Sequence, residues 1–227
     1  VVVMNYRTGE LLALNSFPNF DPLSPQGVMS DPEKPYINNA TQWRSAPGST
    51  FKVITMAAAL QHLPGVSQRV FTCTGAYQVG DIQVVDAGHV AHGELTLEKA
   101  LSVSCNITFA KLALELGDEK LRQTARAFGL DDHFLFSDLV VENSAYPVKN
   151  RVAKEVAWTG PGQSALALTP LHMCLITSSI ANDGVMMEPK ILLQAVGKDR
   201  EGKAQIVPAI YQTPMSGADA DIIKQAM

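Results

Sequence analysis

The sequence predicts a mixed α+β chain, with strands at its start and helices dominating its middle. Three observations carry that expectation. β-Rich runs at Val1 to Tyr6 and Leu11 to Asn15 flank Arg7-Thr8-Gly9-Glu10. An unbroken apolar run from Val53 to Leu60 follows Ser49-Thr50-Phe51-Lys52. Helix caps and stops then recur at Thr96, Gly117, Gly129, Pro170 and Gly184. At 227 residues the chain is long enough for one large domain or two small ones, with a substantial core.

The two opening runs read as a β-hairpin with Gly9 at the turn. Residues 16–48 are rich in Pro, Asn, Asp and Ser and read as a long loop delivering the chain to the next element. A helix is expected from Ser49 to about His62, stopped by Leu63-Pro64-Gly65. Residues 66–93 carry short strand-like pieces and turns. Thr96 suits the cap of a helix through Leu101, and Ile107 to Leu116 and Glu119 to Phe128 read as two helices ending at Gly117 and Gly129. Residues 131–168 read as mixed and loop-rich, broken at Gly160-Pro161-Gly162. Pro170 opens a helix to about Ala181, Lys190 to Val196 is a strand candidate, and Ser216 starts a helix with Asp219 and Asp221 in its first turns.

Composition narrows the function. Hydrophobic residues make up 46% and charged residues 18%, an ordinary globular balance without internal repeats. A net charge of −4 and a pI near 5.7 argue against nucleic acid as a partner, because no basic tract exists to neutralise phosphates. No apolar run approaches the roughly 20 residues of a membrane-spanning helix. There is no signal-peptide pattern, and the opening in strand-like residues leads us to expect the natural N-terminus upstream. Cys73, Cys105 and Cys174 are too few and too dispersed for a disulfide scaffold, and Cys105 reads as a small buried apolar residue.

The chemistry lies in Ser49 and Lys52. A serine and a lysine three positions apart at a helix start share one face, roughly 5–6 Å between Cβ atoms, so the amine can reach the hydroxyl and activate it. Alone, Ser49 reads as a helix cap and Lys52 as a solvated lysine. A second element, Ser104-Cys105-Asn106, reverses that reading. Ser-x-x-Lys, a Ser-x-Asn-type triplet and Lys-Thr-Gly form the signature set of β-lactamases and penicillin-binding proteins. With Pro47-Gly48-Ser49-Thr50-Phe51-Lys52, His92-Gly93, Ser104-Cys105-Asn106 and Thr169-Pro170-Leu171-His172-Met173 in this order, the chain resembles the transpeptidase domain of a class B penicillin-binding protein. The resemblance runs from Val1 and Thr8-Gly9-Glu10 through Ala181-Asn182-Asp183-Gly184.

That resemblance implies a β-lactamase/transpeptidase-like fold. This is an α/β sandwich with an antiparallel sheet between helices and an all-helical subdomain beside it. It implies a D,D-transpeptidase that cross-links peptidoglycan in cell-shape maintenance or cell division and binds β-lactams covalently at Ser49. The donor would be a stem peptide ending in D-Ala-D-Ala. Catalytic roles would fall to Ser49, Lys52 and Ser104, with Asn106 binding substrate. It also implies a membrane anchor, an extracytoplasmic location and a glycosyltransferase partner. The runner-up is a serine β-lactamase or β-lactam sensor of the same superfamily. Against it, no Glu-x-x-x-Asn element follows Ser104. A non-catalytic cell-wall scaffold is the alternative from another class.

One departure stands out: no Lys-Thr-Gly occurs in these residues, which end at Met227. In the family that triplet follows the segment resembling Ile180 to Met227. Residues 1–227 are therefore expected to be the N-terminal part of the domain, without its last strands. The hairpin would then expose unpaired edges, to be completed by the remainder of the domain or by another chain, or left disordered. A sheet of five or more strands from this chain alone would refute that. No cofactor is expected, since the glycines form no phosphate-cradling fingerprint. No metal is expected either. His89 and His92 have helical ligand spacing, but Gly88 and Gly93 argue against a helix and no Cys or carboxylate pattern completes a set. Gly160-Pro161-Gly162-Gln163-Ser164 resembles the family's Gly-Gln-Gly segment, with Ser164 in place of the last Gly, and reads as loop punctuation.

Overall fold

The computed structural model describes residues 1–136, 138–148, 151–197, 202–205 and 207–227. The opening hairpin is present: β1 (Val2–Met4) pairs antiparallel with β2 (Leu11–Leu14), Val2 opposite Leu14 and Val3 opposite Ala13. A long loop then leads to a 3₁₀ turn, Gly48–Phe51, which runs directly into α1 (Lys52–His62). The helix expected from Ser49 thus begins as a tighter turn, and Lys52 is its first α-helical residue.

Helix α1 is the centre of the molecule. Val53, Ile54, Met56 and Ala57 to Ala59 are all buried, so it carries no solvent face over its first two turns. Short strands follow: β3 (Phe71–Cys73), β4 (Ala76–Val79), β5 (Ile82–Val85) and β6 (Gly93–Leu95). β3 pairs with β6 and β4 with β5, both antiparallel. Helix α2 (Leu97–Ser102) is capped by Thr96, whose side chain accepts from the Lys99 N–H, as the sequence suggested.

Helix α3 spans Asn106–Ala127 but is broken at Gly117, where φ 73° and ψ 163° leave the helical region. The two expected helices are therefore both present, meeting at the non-helical Gly117. Phe109, Leu112, Ala113 and Leu116 of the first half pack against α1 in one continuous core. The loop-rich reading of 131–168 missed α4 (Ala153–Thr159), a short helix lying on α3. Helix α5 (Pro170–Ala181) starts as expected, Thr169 accepting from the His172 N–H. His172 is fully buried, and burial lowers its pKa to about 4. The neutral ring sits 2.8 Å from the Phe128 carbonyl through Nε2.

β7 (Met186–Met187), β8 (Gln194–Val196), β9 (Gly202–Gln205) and β10 (Ile210–Gln212) precede α6 (Gly217–Ala226), capped by Ser216. The strand expected over Lys190 to Val196 is realised only at its end. Lys190 instead bridges Glu10 of the hairpin in parallel. Among the described residues no sheet exceeds two strands. No five-stranded sheet forms among them, in line with the expectation of an incomplete one. No helix of the described residues is long and apolar enough to cross a membrane.

Candidate active site

Three elements deliver the four residues singled out in the sequence. The 3₁₀ turn carries Ser49, the first turn of α1 carries Lys52, and the junction between α2 and α3 carries Ser104 and Asn106. That junction is sharp: Ser104 adopts φ 57°, unusual for a residue with a side chain, and Cys105 caps α3 through its sulfur, which accepts from the Thr108 N–H. The cap of α3 is therefore Cys105. The Asn106 side chain turns inward, its amide nitrogen donating to the Val85 carbonyl at 2.9 Å.

Ser49, Ser104 and Asn106 converge on one atom of Lys52. Lys52 Nζ lies 3.0 Å from Ser49 Oγ, 2.9 Å from Ser104 Oγ, 2.8 Å from the Ser104 carbonyl and 2.7 Å from Asn106 Oδ1. Lys52 itself is 0% exposed, while Ser49 and Ser104 are open to solvent. A buried amine thus sits under two accessible hydroxyls, the reverse of a solvated lysine beside a capping serine. Burial lowers the Lys52 pKa from 10.5 to about 8, against the opposing charge of Asp86.

Hydrogen-bond arithmetic gives this arrangement its chemistry. The Ser104 carbonyl and Asn106 Oδ1 can only accept, so they claim two N–H bonds of the amine. One tetrahedral position remains for the two hydroxyls. In neutral Lys52 it is a lone pair that accepts from a serine; in the ammonium it is an N–H that donates to one. A proton can therefore pass between Lys52 and whichever hydroxyl takes that position, over 3.0 Å to Ser49 Oγ or 2.9 Å to Ser104 Oγ. The Ser49 backbone N–H lies in the opening of the 3₁₀ turn, where helix donors have no acceptor within their own turn.

The surrounding structure fixes these groups in ways the sequence did not show. Gly160 and Gly162, read as loop punctuation, are packing devices. The Gly162 carbonyl accepts from the Gly48 N–H at 2.9 Å, and a Cβ on Gly162, at φ 87°, would collide with the Gly48 carbonyl oxygen. Thr55 of α1 donates to the Gly160 carbonyl at 2.9 Å. Asp86, buried beneath the α2–α3 junction, accepts the Asn106 backbone N–H. Cys105 is buried as expected but not apolar in its contacts: its thiol, pushed up by burial, donates to Asp86 Oδ2 at 3.3 Å. Asp86 lies 20 residues from Asn106 with no local pattern linking them.

A model of the penicillin binding protein transpeptidase domain matches residues 1–227. The chain belongs to this transpeptidase family. It is 34% identical over 217 residues to the peptidoglycan D,D-transpeptidase PbpA of Mycolicibacterium smegmatis, a match covering 88% of this chain and 44% of that protein. It is 33% identical over 194 residues to Stage V sporulation protein D of Bacillus subtilis, covering 84% and 29%. Penicillin-binding protein A from M. tuberculosis, solved as an acyl-enzyme complex, superposes with a TM-score of 0.93 at 30% identity, over 100% of this chain and 54% of that one. The chain thus spans less than half the length of either curated relative, and its mixed α+β fold is that of the penicillin-binding transpeptidases.

Proposed function

We propose that this chain carries the nucleophile half of a peptidoglycan D,D-transpeptidase site. The observation that supports this reading most directly is the convergence of Ser49, Ser104 and Asn106 on the buried Lys52 amine. Neutral Lys52 takes the Ser49 proton as Oγ attacks the carbonyl carbon of the scissile peptide bond, and a C–O bond forms. The Ser49 N–H faces the developing oxyanion. Collapse breaks the C–N bond, and Ser104 relays the proton from Lys52 to the departing amine. An acceptor amine then attacks the ester by the reverse proton path, releasing Ser49. Asn106 orients the substrate's amide backbone beside the amine it hydrogen-bonds.

The substrate under this reading is a stem peptide ending in D-Ala-D-Ala, and β-lactams enter the same site as acylating mimics. Relatives named as D,D-transpeptidases and a neighbour solved as an acyl-enzyme support both. The reaction serves cell-wall growth, in cell shape or in division, so the domain works on the extracytoplasmic face of the cell membrane. A membrane glycosyltransferase that polymerises the glycan strands is the partner such a reaction requires.

Fluorescent penicillin tests the reading. The expected result is a single covalent adduct on the Ser49 peptide, absent from Ser49→Ala with its circular dichroism unchanged. An adduct on another residue, or equal labelling of the variant, would overturn it. Ester lifetime separates the hydrolase alternative: persistence over hours fits a transpeptidase, whereas turnover within seconds fits a β-lactamase.

A further inference from the structure

The Ser104–Asn106 turn rests on a buried polar cluster that the acyl-transfer chemistry leaves unused. Cys73 ends β3, Asp86 follows β5, His92 precedes β6 and Cys105 caps α3. The β3–β6 ladder sets Cys73 opposite Gly93, which carries the neighbouring His92 to the same end. The other three meet at one carboxylate oxygen of Asp86. Its Oδ2 lies 2.9 Å from Cys73 Sγ, 3.3 Å from Cys105 Sγ and 3.9 Å from His92 Nε2.

The ligating atoms of Cys73, Asp86 and His92 lie within 4.8 Å of one another. Around a tetrahedral ion held at about 2.0–2.3 Å, neighbouring ligand atoms stand roughly 3.3–3.8 Å apart. Closing those three takes shifts on the order of an ångström, and Cys105 Sγ, beside Asp86 Oδ2 but outside that mutual 4.8 Å, must swing further to join them. His92, with a side chain 22% exposed, has the room to make them.

The chemistry of the cluster is poorly matched without a cation. Asp86 is 2% exposed; the Lys52 charge reaches it only through space, and its hydrogen-bond donors among the described residues are one backbone N–H and two thiols, which are weak. A buried carboxylate is ordinarily matched by a full charge or a metal. Two sulfurs, an imidazole and one carboxylate form a set suited to zinc rather than to magnesium or calcium.

We propose that Cys73, Asp86, His92 and Cys105 bind a structural zinc ion directly beneath the Ser104–Asn106 turn. As the ion enters, the two thiols release their protons to solvent. Asp86 with two neutral thiols carries one negative charge, and so does Zn²⁺ with two thiolates and one carboxylate. The charge beside Lys52 is therefore conserved while weak contacts become metal–ligand bonds. Four protein ligands leave no open position for water, so the ion acts by holding Cys105, and with it the strained Ser104 and the first turn of α3. This proposal departs from the sequence expectation of no metal. The carboxylate and sulfurs missing around His89 and His92 in sequence are supplied across the fold.

The test uses the whole reduced chain, stripped by chelator and titrated with zinc, or with cobalt(II) as a spectroscopic stand-in. The expected result is one metal per chain. The cobalt form should show a thiolate-to-metal charge-transfer band and the strong visible absorption of a tetrahedral site. Cys73→Ser should weaken the charge-transfer band, and His92→Ala should lower affinity by at least about 10–100-fold. His89→Asn should bind as the parent does. His92 lies partly at the surface, so its variant decides the matter if a core cysteine variant fails to fold. Folded chain without stoichiometric metal, or undiminished affinity in His92→Ala, would overturn the proposal. So would the loss of two hydrogens marking a Cys73–Cys105 disulfide in protein purified without reductant.

Discussion

At the scale of single residues, Lys52 shows how placement creates reactivity. A lysine in water is a permanent cation near neutral pH. Here burial lowers its pKa to about 8, so about a tenth of the molecules carry a neutral amine at pH 7. The sign of the pH dependence follows. Only the neutral amine accepts the Ser49 proton, so acylation should rise roughly tenfold per pH unit below about 8 and level off above it. Initial labelling rates from about pH 6 to 9.5, corrected for reagent hydrolysis, check this, and a flat profile would remove Lys52 as the base. Replacing Lys52 by Ala should slow labelling by about 10²–10⁴-fold at pH 7, the usual contribution of a positioned base. It should also leave Asn106 Oδ1 and the Ser104 carbonyl without the donor they share.

At the scale of elements, the site depends on where α1, α3 and α4 touch. The loop after α4 approaches the Gly48–Phe51 turn so closely that only glycine fits at position 162. Gly162→Ala should therefore displace the Gly48–Ser49 backbone. The expected cost is about 2–4 kcal/mol, or very roughly 4–16 °C in melting temperature for a chain of this size. Thermal unfolding measures the first effect, and a fall in penicillin labelling larger than the loss of folded protein measures the second. A melt within a degree of the parent would show that this loop does not brace the turn. The sequence exposed the helices that end in caps and glycines, because those signals are local. It did not expose α4, which begins at Val152 without a polar cap residue and is bounded by stretches rich in breakers.

At the scale of the whole molecule, a continuous helical core lies beside strands that pair only two by two among the described residues. The hairpin, β1 with β2, rests on α5 and meets the later extended chain at the Glu10–Lys190 bridge. Beside that bridge Leu12, Ile191, Leu192 and Leu193 are exposed, an apolar edge of the kind that soluble proteins cover or pair. The chain also contains no Lys-Thr-Gly, the third member of its family's signature. We expect this chain by itself to label slowly with penicillin, lacking the contacts that triplet supplies. Co-expression with a segment that carries the triplet and adds strands to the hairpin should accelerate labelling and raise the melting temperature. Fast stoichiometric labelling of the 227 residues alone would contradict this.

The reach of the sequence divides along physical lines. Ser49 and Lys52 were legible because a helical turn is short-range and its spacing is set by backbone geometry alone. Ser104 and Asn106 were legible only through a motif. No local rule links them to Lys52 across 52 and 54 positions. Residue types therefore determined the α+β class, the principal helices and which serine is the proposed nucleophile. The tertiary structure alone decided that the amine would be buried, that Gly162 would brace Gly48, and that Cys73, His92 and Cys105 would gather at one oxygen of Asp86. Burial and cross-chain contact depend on how distant segments close around each other, and neither is encoded in any short stretch of the polymer.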